Sequence, residues 1–296
     1  GRARRGAGAD LRRLRRAMTE FHILSLGAGV QSTTVYLLAL DGKLPRLDAA
    51  IFADTQEEPR AVYDHLAWLQ QLAGPPIIVR TAGKLGDDLI AGRNSTGQRF
   101  VSIPAYTAPE GSHEAVGQMK RQCSKEYKVE VVERTIRREI LGLKPGAHWP
   151  KTSLVYHYFG ISLEEARRTI GIRKRVCPPR QIPKFPLIDL GWTRGDCVRW
   201  LEGRVPHPVP RSACVFCPYR SDAEFLRLKE TDREGWQRAV EVDEAVRNTD
   251  SALAKKLKQR IYIHPTARPL ATVILRGEGQ GVFPNFVQEC EGVCGV

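Results

Sequence analysis

Apolar runs of strand length alternate with amphipathic runs of helix length over residues 21–83. "FHILSL" (21–26) predicts a short buried strand, and "QSTTVYLLALDGK" (31–43) predicts a helix closed by Gly42. The pair recurs: "LDAAIFADT" (47–55) predicts a second strand, and "EEPRAVYDHLAWLQQLAG" (57–74) a second helix ending at Gly74. "PPIIVRTAG" (75–83) predicts a third strand. This alternation with short connections predicts an α/β fold with a doubly wound parallel sheet. Right-handed crossovers would bring the turn after the first strand and Asp54 to one carboxyl edge, where such sheets bind ligands.

Further along, residues 84–118 are rich in Gly, Ser and Pro and are expected to form a long loop or lid. "KRQCSKEYKVEVVERTIRREILG" (120–142) predicts a basic helix, and "SLVYHYFGISLEEARRTIG" (153–171) a strand followed by a helix. "KFPLIDLGW" (184–192) predicts a strand, and "TRGDCVRWLEG" (193–203) a helix with Thr193 as N-cap. A proline-rich cysteine loop follows, then a charged helical stretch from 222 to 260 and a tail ending "NFVQECEGVCGV". The expected organisation is a basic extension over 1–17, disordered in composition, a nucleotide-binding domain over 18–190, and a helical, cysteine-bearing C-terminal region over 191–296 with a mobile tail. No internal repeat is visible.

Charge sharpens this picture only in part. The 296 residues carry a formal net charge of +13, but residues 1–17 hold seven arginines and one aspartate, ahead of "MTEFHILSLG". Without them the charge is still +7, so a polyanionic partner such as tRNA or DNA fits without being required. No apolar run reaches bilayer length, which excludes a membrane partner and leads to the expectation of a soluble, cytoplasmic protein. In that compartment seven cysteines point to metal or thiol chemistry more than to disulfides.

The candidate chemistry begins at the first turn, Ser25-Leu26-Gly27-Ala28-Gly29-Val30-Gln31-Ser32-Thr33. Gly27 and Gly29 allow close approach of the backbone, the following helix start favours an anion, and Ser25, Ser32 and Thr33 can add hydroxyl donors. The turn is neither a Walker A motif nor G-x-G-x-x-G. It resembles the PP-loop, Ser-x-Gly-Gly-x-x-Ser, of the ATP pyrophosphatase superfamily; Ser25, Gly27 and Ser32 match, Ala28 replaces the second glycine, and Gly29 falls one place later. "IFADTQEE" resembles the Asp-Thr-Gly of the phosphoadenylylsulfate and adenylylsulfate reductase branch, with Gln56 for the glycine. "YFGISLEEARR" resembles its Gly-x-Arg-x-x-Glu-Ser segment, with Ser162 for the arginine, and "FPLIDLGWTRGDCVRWL" its Asn-Pro-Leu strand and the helix after it. The likeness spans residues 21–222. It implies a nucleotide, ATP or an adenylylsulfate, held by residues 27–33 with Asp54 near the ribose or adenine, and magnesium as a candidate companion.

"SACVFCPYR" is a C-x-x-C-P knuckle that aims Cys214 and Cys217 at one metal, zinc or an iron–sulfur cluster. It resembles the Gly-Cys-x-x-Cys-Thr of cluster-bearing adenylylsulfate reductases. "RQCSKEYKV" resembles their Cys-Cys-x-x-Arg-Lys-Val, with Cys123 and Lys128 matching and Ser124 for the second cysteine. The resemblance thus implies ligands Cys123, Cys214 and Cys217, to which Cys197 could add a fourth; a 4Fe–4S cluster is favoured over zinc. An open three-thiolate cluster resembles that of certain tRNA-thiolating PP-loop enzymes. Cys177 is assigned no catalytic role. In the tail, Glu289-Cys290 resembles the reductases' Glu-Cys-Gly, with Glu291 for the glycine, and Cys294 follows. A mobile two-thiol tail could carry persulfide sulfur or resolve a disulfide, making Cys290 and Cys294 the candidate catalytic thiols.

The basic segment around Lys120, Arg121, Lys125 and Lys128 could clamp phosphates, the competing assignment being a solvated helix face. Trp192, Trp200 and Trp236 are more at home in a core than stacked on bases. Two function classes follow: ATP-dependent sulfur transfer to a nucleic acid, in the manner of DNA phosphorothioation enzymes and tRNA thiolases, with a sulfur donor or thiol reductant protein as partner, or phosphoadenylylsulfate or adenylylsulfate reduction. A nucleotide- or nucleic-acid-binding module with a structural metal is the non-enzymatic alternative.

Overall fold

Residues Thr19–Leu26 form β1, the middle strand of a five-stranded parallel sheet. It is followed by α1 (Val30–Leu40), β2 (Ala49–Asp54), α2 (Arg60–Gln71), β3 (Ile77–Thr81) and α3 (Leu85–Ile90). The computed structural model describes residues 18–97, 102–175, 180–247 and 259–277. Two short strands come next, β4 (Tyr106–Ala108) and β5 (Gly117–Gln118). A continuous helix then runs as α4 (Glu130–Thr135) between two π-helical turns, Lys125–Val129 and Ile136–Ile140. β6 (Ser153–Phe159), α5 (Arg168–Arg175), β7 (Gln181–Lys184), α6 (Pro186–Asp189) and α7 (Arg194–Leu201) complete the sheet layer. α8 (Asp222–Thr231), α9 (Arg233–Arg247) and β8 (Arg260–Tyr262) follow.

The sheet order is β3-β2-β1-β6-β7, every pairing parallel. The chain winds outward from β1 to β3, then returns to the other side of β1 with β6, so the order reverses between β1 and β6. Such a reversal leaves a crevice beyond the carboxyl ends of those two strands.

Alternate strand residues face opposite layers, as a pleated strand requires. Leu24, Leu26, Ala50 and Phe52 pack with α1, α2 and Leu201 of α7, whereas Ile23, Ala49, Ile51 and Ala53 pack with Val131, Val132 and Ile136 of the α4 helix. Both faces are therefore apolar, and β1 and β2 read as continuous hydrophobic runs in the sequence. A second cluster, built from α3, α8, α9, Tyr127 and Ile261, holds the knuckle side of the molecule.

The expected doubly wound α/β sheet is present, with two local differences. The long loop expected over 84–118 contains α3, β4 and β5, and β4 pairs antiparallel with both β5 and β8. "FPLIDLGW" is no strand: Pro186 stands at the first position of the short helix α6, where its fixed φ and missing N–H suit a helix start. The strand is the preceding Gln181–Lys184. Thr193 does cap α7, accepting from the Asp196 N–H at 3.2 Å while Asp196 accepts from the Thr193 N–H at 2.8 Å. No helix among the described residues is long and apolar enough to cross a membrane.

Candidate functional site

The Gly27–Gly29 turn lies at the carboxyl end of β1, within the crevice at the order reversal. Ser32, in the first turn of α1, folds the turn back: its Oγ accepts from the N–H of Gly27 at 3.1 Å and of Gly29 at 3.3 Å. On the other side of the crevice, Gly160 directly follows β6. A Cβ placed there would stand 2.6 Å from the Ser32 backbone nitrogen and 2.8 Å from the Gln31 carbonyl carbon. Only a glycine lets the loop after β6 rest on the first turn of α1. The first amides of an α-helix have no i−4 carbonyl within the helix, so the crevice is floored by backbone donors.

The side chains expected to hold phosphate are turned elsewhere. Ser25 Oγ lies 2.7 Å from His157 Nε2 inside the sheet layer. Thr33 Oγ1 lies 2.9 Å from His65 Nε2, and His65 Nδ1 is 2.8 Å from His207 Nε2. Gln31 Nε2 donates to Glu165 Oε2 at 3.2 Å and reaches Ser162 Oγ at 3.5 Å, while Gln31 Oε1 is buried with no partner among the described residues. Ser25, Gln31, Ser32 and Thr33 are all buried, and a buried polar group must find a partner or forfeit its hydration. These side chains are thus spent on setting the shape of the loop.

His157 makes that interior sensitive to acid. Burial alone lowers its pKa from the ordinary 6.5 to about 3. The Gln181 amide nitrogen donates to Nδ1 at 2.9 Å, which puts the ring proton on Nε2, facing Ser25. Because the folded-state value is depressed, the unfolded chain binds the proton first, and stability falls as pH drops below 6.5 towards about 3. At pH 5 the expected loss from His157 is about 2 kcal/mol relative to neutral pH. His65, lowered to about 4 by burial and then by His207, acts in the same direction. Urea midpoints at pH 7 and pH 5 read this directly; identical midpoints, or no smaller pH effect in His157→Gln, would contradict it.

Asp54 closes β2 at the same edge. Its Oδ1 accepts from the Gln56 N–H at 2.7 Å and from the Tyr63 hydroxyl at 2.9 Å. Burial and the adjoining Asp54 raise the Tyr63 phenol above its usual range, so it remains a donor. The backbone at Gln56 has φ 59° and at Ala28 φ 56°. Both are left-handed positions that cost a non-glycine residue roughly 1 kcal/mol or more.

Residues 55–58 connect this edge to the cysteines. Thr55 Oγ1 is 3.2 Å from Cys214 Sγ, and the Val215 N–H donates to the Glu57 carbonyl at 2.7 Å. The Glu57 carboxylate is buried between Arg238 of α9, at 2.8 Å, and the Gly86 N–H, at 3.0 Å. The Glu58 carboxylate pairs with Lys128 Nζ at 2.9 Å, both side chains at most 5% exposed. Cys214 and Cys217 share one tight turn, in which the Cys217 N–H donates to the Cys214 carbonyl at 2.9 Å. The buried Arg220 guanidinium donates to the Cys214 carbonyl at 3.0 Å and to the Ala213 carbonyl at 2.5 Å, and lies in the field of Cys217. Tyr106 of β4 also neighbours Cys217; its phenol is raised by burial, then by Tyr219 and Cys217.

Cys123 and Cys214 pack against the same apolar cluster, whereas Cys197 is wholly buried in the other one, beneath α1. The structure thus draws Cys123 and Cys214 towards one region and leaves Cys197 as a core residue of α7. Among the described residues no group of three or more His, Cys, Asp or Glu side chains is placed to hold a metal ion. Cys177, Cys290 and Cys294 lie outside the described residues.

The basic segment is not one solvated face. Lys128 is buried in its ion pair, Arg121 donates to Ser124 Oγ at 2.9 Å and lies over the Tyr219 ring, and Lys125 sits 3.8 Å from Glu130. Trp192 and Trp200 are partly buried against the sheet-side cluster, and Trp236 is partly buried against the knuckle-side cluster beside Phe225. Gly160, Glu57, Glu58 and Arg238 also build the site. Gly160 is the glycine of the segment that resembles Gly-x-Arg-x-x-Glu-Ser, although no role for it is legible in the sequence; Glu57 and Glu58 carry only the signal of consecutive carboxylates soon after a buried strand, and Arg238 carries none.

Fold and site together define an α/β protein with a backbone-lined crevice at the reversal of its parallel sheet, flanked by a cysteine knuckle. Comparison with protein-family models, with curated proteins and with solved structures found no match to this chain.

Proposed function

We propose that this chain is a PP-loop-type enzyme of sulfur chemistry that uses ATP to transfer sulfur to a nucleic acid. The observation that carries the proposal is the meeting, at one sheet edge, of the Gly27–Gly29 turn and Gly160 with a cysteine knuckle tied to β2 through Thr55 and Cys214. The turn and the first turn of α1 would hold the triphosphate. The acceptor oxygen attacks the α-phosphate, pyrophosphate leaves, and a sulfur nucleophile then displaces AMP from the activated acceptor. The left-handed backbone at Ala28 and Gln56 supports the resemblance, since at both positions the motif resembled carries a glycine that this chain replaces.

A metal centre on Cys123, Cys214 and Cys217 belongs to the proposal, a 4Fe–4S cluster ahead of zinc, with sulfur delivered there or by Cys290 and Cys294. Iron, zinc and labile-sulfide content of anaerobically purified protein tests it.

The reductase reading is disfavoured by Ser162, fully buried and turned to Gln31 where that branch carries an arginine. The decisive experiment is mass spectrometry of products from ATP and nucleic acid. AMP with pyrophosphate supports adenylation, sulfite from an adenylylsulfate indicates reduction, and binding without turnover indicates a binding module. Gly27→Trp is expected to abolish ATP binding; unchanged affinity would remove the loop from the assignment.

A further inference from the structure

We propose that α5 and the edge strand β7 form a docking surface for the phosphate backbone of a nucleic-acid double helix, an inference that rests on the proposed function and names how its acceptor is held. Residues 166–174 and 180–188 contain six Lys or Arg and no Asp or Glu. β7 is an edge strand, paired with β6 and with no further strand among the described residues, and α5 packs nearby through Ile172 on Phe159 and Phe185. On α5, Ile172 is buried against Phe159, Ile161 and Phe185, so the helix turns its opposite side outward. Arg173 and Lys174 are exposed there, as is Arg167 just ahead of the helix. Lys184 ends β7 at the carboxyl edge, its ammonium over the Tyr156 ring, and the Arg173 guanidinium lies over Phe185.

Arg167, Arg173, Lys174 and Lys184 form no ion pair among the described residues, whereas Arg168 is paired with Glu165. That pair marks how the surface joins the crevice, because Glu165 also accepts from Gln31 in the first turn of α1. A polyanion lying along α5 would therefore run towards the nucleotide loop. The Arg173 and Lys184 charges rest over aromatic rings, which restrains those two side chains before any polyanion arrives. The exposed apolar side chains here, Ile170 and Ile182, are aliphatic. A single strand is gripped by stacking its bases on aromatic faces, and the rings here are covered, Tyr156 by Lys184 and the stacked His22, and Phe185 by burial beneath Arg173, which suits a duplex read by its backbone.

The test measures binding of a fluorescent 20-base-pair DNA duplex to the full chain by anisotropy over a series of salt concentrations, alongside ATP binding. Wild type is expected to bind with a steep loss of affinity as salt rises. Arg167→Ala/Arg173→Ala/Lys174→Ala should weaken binding at least about tenfold and reduce the log–log salt slope by roughly two to three, about 0.9 per lost phosphate contact. All three side chains are exposed, so circular dichroism and ATP affinity should not change. An unaltered slope in the triple variant, tighter binding of single-stranded DNA, or equal dependence on these residues for vesicles of anionic lipid would each overturn the surface. Loss of duplex binding with ATP binding retained confirms the surface; wild type that binds the duplex through these residues but never binds ATP keeps the surface and removes the proposed function.

Discussion

Gly160→Ala is expected to destabilise the folded protein by at least about 2 kcal/mol and to lower nucleotide affinity at least tenfold. The added methyl would meet backbone, the Ser32 nitrogen at 2.6 Å and the Gln31 carbonyl carbon at 2.8 Å, so no side-chain rotation can make room. Either the loop after β6 lifts or the first turn of α1 shifts, and both moves deform the crevice in which the proposed function places the nucleotide. Gly92→Ala is the informative contrast. Gly92 has φ +65° with nothing within 4 Å of the added carbon, so its cost is backbone strain alone, about 1 kcal/mol. Paired denaturation curves and ATP titrations separate the two cases. A Gly160→Ala protein with wild-type ATP affinity would show that the contact between the two loops is irrelevant to the crevice.

The contrast also marks how far the sequence could be read. β1, α1, β2, α2 and β3 were legible because apolar residues keep strand or helix periods and the breaks fall at Gly42, Pro59 and Gly74. The displaced strand near residue 185 was not, since a three-residue apolar run beginning with proline serves a helix start as well as a strand. Small-sheet strands of two and three residues carry too few positions for any period to emerge. At the site, the glycines and cysteines were visible as residue types, but their partners were not. Ser25 and Thr33 look like phosphate donors in one dimension; only the fold reveals that His157 and His65, far away in sequence, claim their hydroxyls. Cys197 has a ligand's chemistry and a core residue's position, and burial is a property of the fold. The basic run at 120–128 was ambiguous for the same reason, because Glu58 lies on another element.

That last pair gives the other large effect. Lys128→Met is expected to destabilise the protein by about 3–5 kcal/mol, because it leaves the Glu58 carboxylate buried without its ammonium partner. The loss is chiefly the cost of the stranded charge, so Lys128→Met/Glu58→Gln should be more stable than Lys128→Met alone, and the double-mutant cycle should show coupling of roughly 1–3 kcal/mol. Lys128→Arg is not expected to rescue, since the larger planar guanidinium does not fit a side-chain site that is 5% exposed. The consequence reaches the thiols. Lys128 sits five residues after Cys123 on the same segment, and Glu58 sits three after Thr55, whose hydroxyl touches Cys214. The ion pair is thus a strut between the helix bearing Cys123 and the strand end bearing the Cys214 contact. Breaking it should raise the rate at which iodoacetamide modifies Cys123 and Cys214, read by peptide mass spectrometry under conditions where the fold persists. Lys128→Met with stability within about 0.5 kcal/mol of wild type and unchanged alkylation would mean that the pair is incidental, and that the cysteine region is held by Arg220 and the Glu57–Arg238 contact instead.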